Sequence, residues 1–339
     1  MSLKVGIRIP PCEPLSALAA AARRAEDLGF DHVWFPDSQV LWRDVFGTLA
    51  AAALRTDRIG LGTAVTNLVT RHPTVVASAA RTIAELAPGR FRLGVGVGNS
   101  SVQPVGLAPS TQAELRERLG TVRTLLAGEE AGFGTARSRL RDPGDGIPIH
   151  LAASGPRNLR LAGELADGVM LLSGVAPVTL ASSLAAVREG AERAGRDPAA
   201  LELTVAAHAH VTDDVERDAR RLKPICAGIA QHGGRPFLAL AGIEIEVPAR
   251  VPQVYPDLVH AEDWDRAVAV CDAWVSDADA VRFAETFCLF GSAEHILGRL
   301  AQARAAGATA VFLQHVGSYD LPYELMEAIA GDVLPKLPA

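Results

Sequence analysis

Cysteine is scarce: the chain has four, Cys12, Cys226, Cys271 and Cys288, and no C-x-x-C pair among them. That spacing signals neither a zinc site nor a thioredoxin-type motif. The expectation is reduced, mostly buried thiols in a cytosolic protein. A basic excess is missing too. The formal net charge is −6, so no field draws nucleic acid, and no block of like charges suggests a tail. No apolar run is long enough to span a bilayer. The stretch from Leu15 to Ala22 is soon broken by Arg23, Arg24, Glu26 and Asp27, so it reads as an amphipathic helix and not a secretory leader. Neither a G-x-S-x-G elbow nor an H-E-x-x-H helix is found, and no solenoid period recurs. His208 and His210 share a strand face, but no carboxylate or third histidine stands at a ligand spacing, so no metal is expected.

What is present is hydrophobic residue, 49% of 339, ample for a large core. Short apolar strands alternate with helical patterns, which argues for βα units and a parallel sheet. Strands are predicted at 4–10, 31–37, 58–65, 90–98, 147–153, 169–173, 201–211 and 309–316. Gly29 ends the first helix, and Pro73 and Pro156 open later ones. A Gly/Arg-rich loop runs to Gly146. The part from 231 to 279 breaks the rhythm and reads as an insertion of helices and loops. Eight such units predict an α/β fold, a (β/α)8 TIM barrel spanning 1–339 as one domain. An open doubly wound sheet would place a glycine loop after the first strand, where this chain has Pro10, Pro11 and Pro14.

In a barrel, residues just past each strand converge on one face. Here they are Asp37 and Ser38, Ala64 to Asn67, Gly98-Asn99-Ser100, and Ser154-Gly155. They are small or polar, as a pocket for a flat anionic ligand requires. Gly60, Gly62 and Ala64 share one strand face, and Gly94, Gly96 and Gly98 share another. These bare faces either leave a slot for a ring or serve close packing. Asn99 breaks the G-x-G-x-x-G fingerprint. Ala153-Ser154-Gly155-Pro156 joins a strand to a helix, where free N–H groups bind phosphate. Arg157 adds a charged donor, and a plain Ser cap is the other reading. Asp37 suits either ring orientation or helix capping. Trp42 reads as a pocket wall. His72 is a loop anchor or a proton donor.

Six runs in order resemble the luciferase-like superfamily of flavin- and F420-dependent oxidoreductases. They are WFPDSQ (34–39), LGTAVTN (61–67), TRHP (70–73), PGRFRLGVGVGNS (88–100), AASGPRNLRLAGELADG (152–168) and GSAEHILGRL (291–300). The nearest look is to 5,10-methylenetetrahydromethanopterin reductase-like enzymes. The resemblance implies F420, or alternatively FMN, in the C-terminal mouth of the barrel. It implies a cis Ala64-Val65 peptide behind the ring, with Ala64, Val65, Thr66, Gly98 and Asn99 on the ring side and Ala153, Ser154, Gly155, Pro156 and Arg157 on the phosphate. Asp37, Ser38, Trp42 and Asn99 fall on the substrate side, as the catalytic candidates.

Two departures bear on the reaction. Sugar-phosphate dehydrogenases of the family have a histidine where this chain has Ser38 and a glutamate where it has Asn99. Their loss suits reduction of an imine- or alkene-like bond, in which positioning carries most of the work. The leading expectation is therefore an F420-dependent oxidoreductase acting on a small molecule. The alternatives are an FMN monooxygenase supplied by a flavin reductase, and a non-catalytic barrel holding a phosphorylated ligand. A homodimer is implied by resemblance only.

Overall fold

Eight short strands make the frame: β1 (Lys4–Arg8), β2 (His32–Phe35), β3 (Gly60–Thr63), β4 (Phe91–Gly96), β5 (Ile149–Ala153), β6 (Gly168–Leu171), β7 (Glu202–Val211) and β8 (Ala310–Gln314). They come from a computed structural model that describes residues 2–143, 146–317 and 319–338. Each strand pairs in parallel with the next, and β8 returns to β1. The ring is closed, and the fold is a (β/α)8 barrel.

Helices α1 (Leu15–Asp27), α2 (Val45–Ala53), α3 (Pro73–Leu86), α4 (Gln112–Leu126), α5 (Pro156–Leu165) and α6 (Pro177–Arg193) follow the first six strands. Two more, α7 (Ala293–Ala306) and α8 (Tyr323–Asp332), flank β8. The reason for their packing is visible in α1. Leu18, Ala21, Ala22 and Ala25 are fully buried, at the spacing that puts them on one helical stripe. Alanine there lets the helix lie close to the sheet. Gly29, at φ 90°, follows the helix end, and its N–H returns to the Glu26 carbonyl.

The bare face of β3 is filled from inside the barrel. A Cβ on Gly60 would come within 2.2 Å of the His32 ring, and one on Gly62 within 2.3 Å of the Trp34 ring. Trp34 in turn lies 5.7 Å from His32, 5.8 Å from His150 and 6.1 Å from Phe312, ring centre to ring centre. Of the two readings of Gly60 and Gly62, close packing is the one found, because β2 places its two large rings over these glycines. Likewise a Cβ on Gly94 would meet the Thr63 carbonyl oxygen at 1.9 Å. Glycine keeps the two strands in contact there.

Two stretches depart from the predicted rhythm. β3 stops at Thr63, and the short strand Thr66–Asn67 resumes pairing with β4. Within the Gly/Arg-rich loop, Ala131–Phe133 and Ala136–Ser138 form a hairpin. Three-residue strands are too short to show alternation, so the pattern hid it. Gly144 and Asp145 of that loop lie outside the described residues.

Between β7 and the strand Leu289–Gly291, the chain makes a long excursion containing helices Lys223–Gln231, Trp264–Cys271 and Asp277–Phe287. It has its own apolar cluster, including Leu222, Ile225, Phe283 and Phe287. The excursion returns over the mouth of the barrel.

Candidate active site

The carboxyl ends of the strands surround a cavity of about 320 Å³. Arg8 and Gln314 form part of its wall, from the ends of β1 and β8. Asp37 and Ser38 come from beyond β2, Ala64 to Thr66 from beyond β3, and Gly96 to Ser101 from the end of β4 and the loop after it. Ala152, Leu172 and His208 continue the wall, while Ile225, Val259 and His260 come from the excursion. A second space of about 1050 Å³ adjoins it, sharing Asn99, Ser100, Val259 and His260. Such volumes fall in the range of ligand pockets, about 300–1,000 Å³.

Asp37 is only 4% exposed and both of its oxygens are engaged. Arg71 donates from Nε at 2.8 Å and from one Nη at 3.0 Å, and Thr66 donates at 2.7 Å. The same Arg71 Nη also donates to Asp44 at 2.8 Å, and Asp44 caps α2 through the Gly47 N–H. The two carboxylates hold the Arg71 guanidinium firmly protonated. Asp37 thus ties the β2 and β3 loops together. Helix capping falls to Asp44.

Ser38 is buried, and its hydroxyl lies 2.7 Å from that of Ser100. Either oxygen can donate, so a proton can be held at this wall. Asn99 is exposed at the meeting of the two cavities. Asn67 donates to the Ser101 hydroxyl at 3.0 Å and accepts from the Val69 and Thr70 N–H groups. The loop after β3 is fixed from within by that network. His72 resolves as an anchor. It caps α3, accepting from the Thr74 N–H, and Pro73 follows at the first helical position.

Trp42 is 5% exposed. Tyr319 lies 5.0 Å from it, His260 6.2 Å, and the Arg8 guanidinium carbon sits 5.8 Å over its ring. His260 is held by the Asp257 carboxylate at 2.9 Å. His208 also faces the cavity, and its Nδ1 has no hydrogen-bond partner. Burial first, and the Arg8 charge second, push its pKa down to about 3. It is a neutral imidazole at pH 7.

The peptide bond between Ala64 and Val65 is cis, and both residues line the cavity. Val65 also covers Gly96, where a Cβ would come 2.7 Å from its side chain. Gly98 has φ 83°, a conformation glycine adopts readily. Ala153, Ser154, Gly155, Pro156 and Arg157 do not line the cavity. They stand at its rim, beside Ala152 and Leu172, whose N–H donates to the Ala153 carbonyl. Gly155, not Ser154, occupies the cap of α5, at φ 71° and with no side-chain cap. No side chain caps the first turn of α5, and residues 154–157 are exposed there.

The eight candidates Asp37, Ser38, Trp42, Ala64, Val65, Thr66, Gly98 and Asn99 share one cavity, and the five-residue loop flanks it. Sequence reasoning passed over Arg8, Leu172, His260 and Gln314, and weighed His208 only as a metal ligand. For Arg8 a signal exists, a lone charge in the apolar run VGIRIPP. Leu172, His208 and Gln314 lie at or just past the ends of barrel strands, and only His260 depends on how the excursion folds back. Among the described residues, no three His, Cys, Asp or Glu side chains gather in a metal-binding cluster, and no helix is long and apolar enough to cross a membrane.

A closed parallel barrel, with a cavity at the carboxyl ends of its strands beside a helix N-terminus that no side chain caps, defines the class of fold and site. Residues 3–310 match the luciferase-like monooxygenase family, and the chain belongs to it. That membership places it among oxidoreductases. A 5,10-methylenetetrahydromethanopterin reductase from Methanolobus tindarius is 35% identical over 227 residues, 64% of this chain and 67% of that protein. An F420-dependent glucose-6-phosphate dehydrogenase from Nakamurella multipartita is 40% identical over 201 residues, and the match spans only 59% of its length. A reductase of the first name from Archaeoglobus fulgidus is 28% identical over 347 residues, 99% of this chain and 100% of that protein. Among solved structures, the F420-dependent tetrahydromethanopterin reductase from Methanopyrus kandleri superposes with a TM-score of 0.77 at 22% identity, covering 100% of both chains. At that identity it speaks for the fold.

Proposed function

We propose that this protein is an F420-dependent oxidoreductase that transfers a hydride between the deazaflavin and a small organic substrate. The observation that carries the reading is the pairing of two features. Val65 and Gly98 flank a cavity at the carboxyl ends of the strands, and the free N-terminus of α5 stands at its rim. That suits a ring inside and a phosphate outside. Relatives by sequence named as F420-dependent glucose-6-phosphate dehydrogenases support the same cofactor.

When bound, F420 supplies a hydride acceptor or donor at its C5. This chain's residues would do the rest. Val65 and Gly98 hold one face of the ring. Ser154, Gly155 and Arg157 take the phosphate. Trp42, Val259 and Ile225 close off water above the substrate. The Ser38–Ser100 hydroxyl pair holds a proton at the wall. Asp37, already bound by Arg71 and Thr66, sets the shape of the pocket and is not the base. With serine at 38 and asparagine at 99, reduction of a C=C or C=N bond fits better than oxidation of a sugar phosphate.

We further infer a homodimer working in a reducing cytosol, where Cys12, Cys226, Cys271 and Cys288 stay free. The test of function is equilibrium binding of F420 and of FMN, followed by ring fluorescence. Dissociation of F420 in the micromolar range, with FMN at least tenfold weaker, is the expected result. The reverse order would favour the FMN monooxygenase with its reductase, and no binding of either would leave the non-catalytic barrel.

A further inference from the structure

We propose that Arg8 is the receptor for a carboxylate carried by the substrate, so that this barrel acts on small organic acids. The proposal takes its reaction from the F420 reading, while its evidence is independent of that cofactor. The other strongly placed cations are committed elsewhere. Arg71 pairs with Asp37 and Asp44, Arg92 with Glu202, and Lys223 with Asp272 and Asp277. Arg90 donates to the carbonyls of Thr56 and Ile59, Arg299 to that of Thr286, and Arg221 to that of Val316. Arg8 has none of this. Among the described residues, no hydrogen bond or ion pair reaches its guanidinium, and the face of Trp42 is its one marked contact.

A guanidinium has five donors, and leaving them idle beside a cavity is costly unless a ligand takes them. Burial lowers the pKa of Arg8 to about 10, so it remains charged at neutral pH. Among the described residues, Asp37 is the one carboxylate on the cavity wall, and Arg71 and Thr66 occupy it. The imidazoles of His208 and His315 are neutral, both pulled down to about 3 by burial. The wall therefore offers one fixed positive charge, with the free Nδ1 of His208 nearby. One planar fork matches one carboxylate in bidentate fashion. A phosphate dianion would face only half the charge it needs. Trp42, stacked by Arg8, supplies an apolar surface for the body of such an acid.

The experiment compares sodium benzoate with its neutral isostere benzamide by calorimetric titration at fixed ionic strength. It uses the full chain, with and without F420. The expected result is benzoate binding at least tenfold tighter than benzamide, a preference lost in Arg8→Gln and partly kept in Arg8→Lys. Because Arg8 has no hydrogen bond or ion pair to abandon, only the Trp42 face, Arg8→Gln should melt within about two degrees of the wild type. Equal binding of the two probes, a preference that survives Arg8→Gln, or a melting point lowered by several degrees would each overturn the proposal. The arm without F420 reads Arg8 alone, so failure of F420 to bind would sink the functional reading and leave this one standing.

Discussion

Asp37 and Arg71 show how much of the site rests on one ion pair. Removing one partner of a buried pair strands the other charge. Asp37→Ala should therefore destabilise the protein by about 2–4 kcal/mol, offset in part because Arg71 keeps Asp44. The urea midpoint measures it, and a change below ~0.5 kcal/mol would contradict the assignment of Asp37 as the tie between loops. Gly62→Ala should cost about 1–3 kcal/mol by overpacking, since the new methyl would strike the Trp34 ring at 2.3 Å. An unchanged melting point for that variant would mean that the Trp34 stack yields freely.

At the level of elements, α5 is the informative one. Its N-terminus is uncapped and its first residues are exposed, so an added negative charge there meets the end of the helix dipole that should serve the ligand. Ser154→Asp should weaken F420 binding about tenfold, near the ~1.4 kcal/mol that such a charge change supplies, with no loss of stability. Undiminished binding would move the phosphate elsewhere. This element was legible from Gly155-Pro156 alone, because a turn and a helix start are local events. The glycine faces were only half legible. Period two gave the side on which Gly60 and Gly62 lie, but what covers them, His32 and Trp34, is decided by registry with β2. Arg8 was missed for the same reason. Its role depends on the acids that are not beside it, and a linear pattern cannot show those. The residues Val259 and His260 entered the site from an excursion whose path no periodicity announced.

For the molecule as a whole, eight strand-like runs, together with prolines where an open doubly wound sheet has its glycine loop, pointed to the closed barrel. We infer that the excursion folds with the barrel as one unit. Its cluster includes Ala176 and Val316 from the barrel's own loops, and Val175 donates to the Phe287 carbonyl. A single unfolding transition, the same by fluorescence and circular dichroism, is expected, whereas two separated transitions would divide the chain. Acid should act through buried imidazoles. His32, His208 and His315 have pKa values lowered from 6.5 to about 3, in each case mainly by burial. They are neutral when folded and take up protons when unfolded. Their contribution is complete above pH 6.5 and is lost as pH falls toward 3, on the order of 1 kcal/mol per imidazole per pH unit. The urea midpoint should be flat from pH 8 to 7 and fall steeply between 6.5 and 5. A flat profile down to pH 5 would show these rings to be solvated.

We propose that the carboxyl-end cavity holds the deazaflavin ring, with its phosphate on α5. A crystal structure of the protein with F420 tests it most directly. The ring is expected against Val65 and Gly98, and the phosphate at Ser154 and Gly155. A ring bound elsewhere, or an empty cavity at saturating F420, would contradict it.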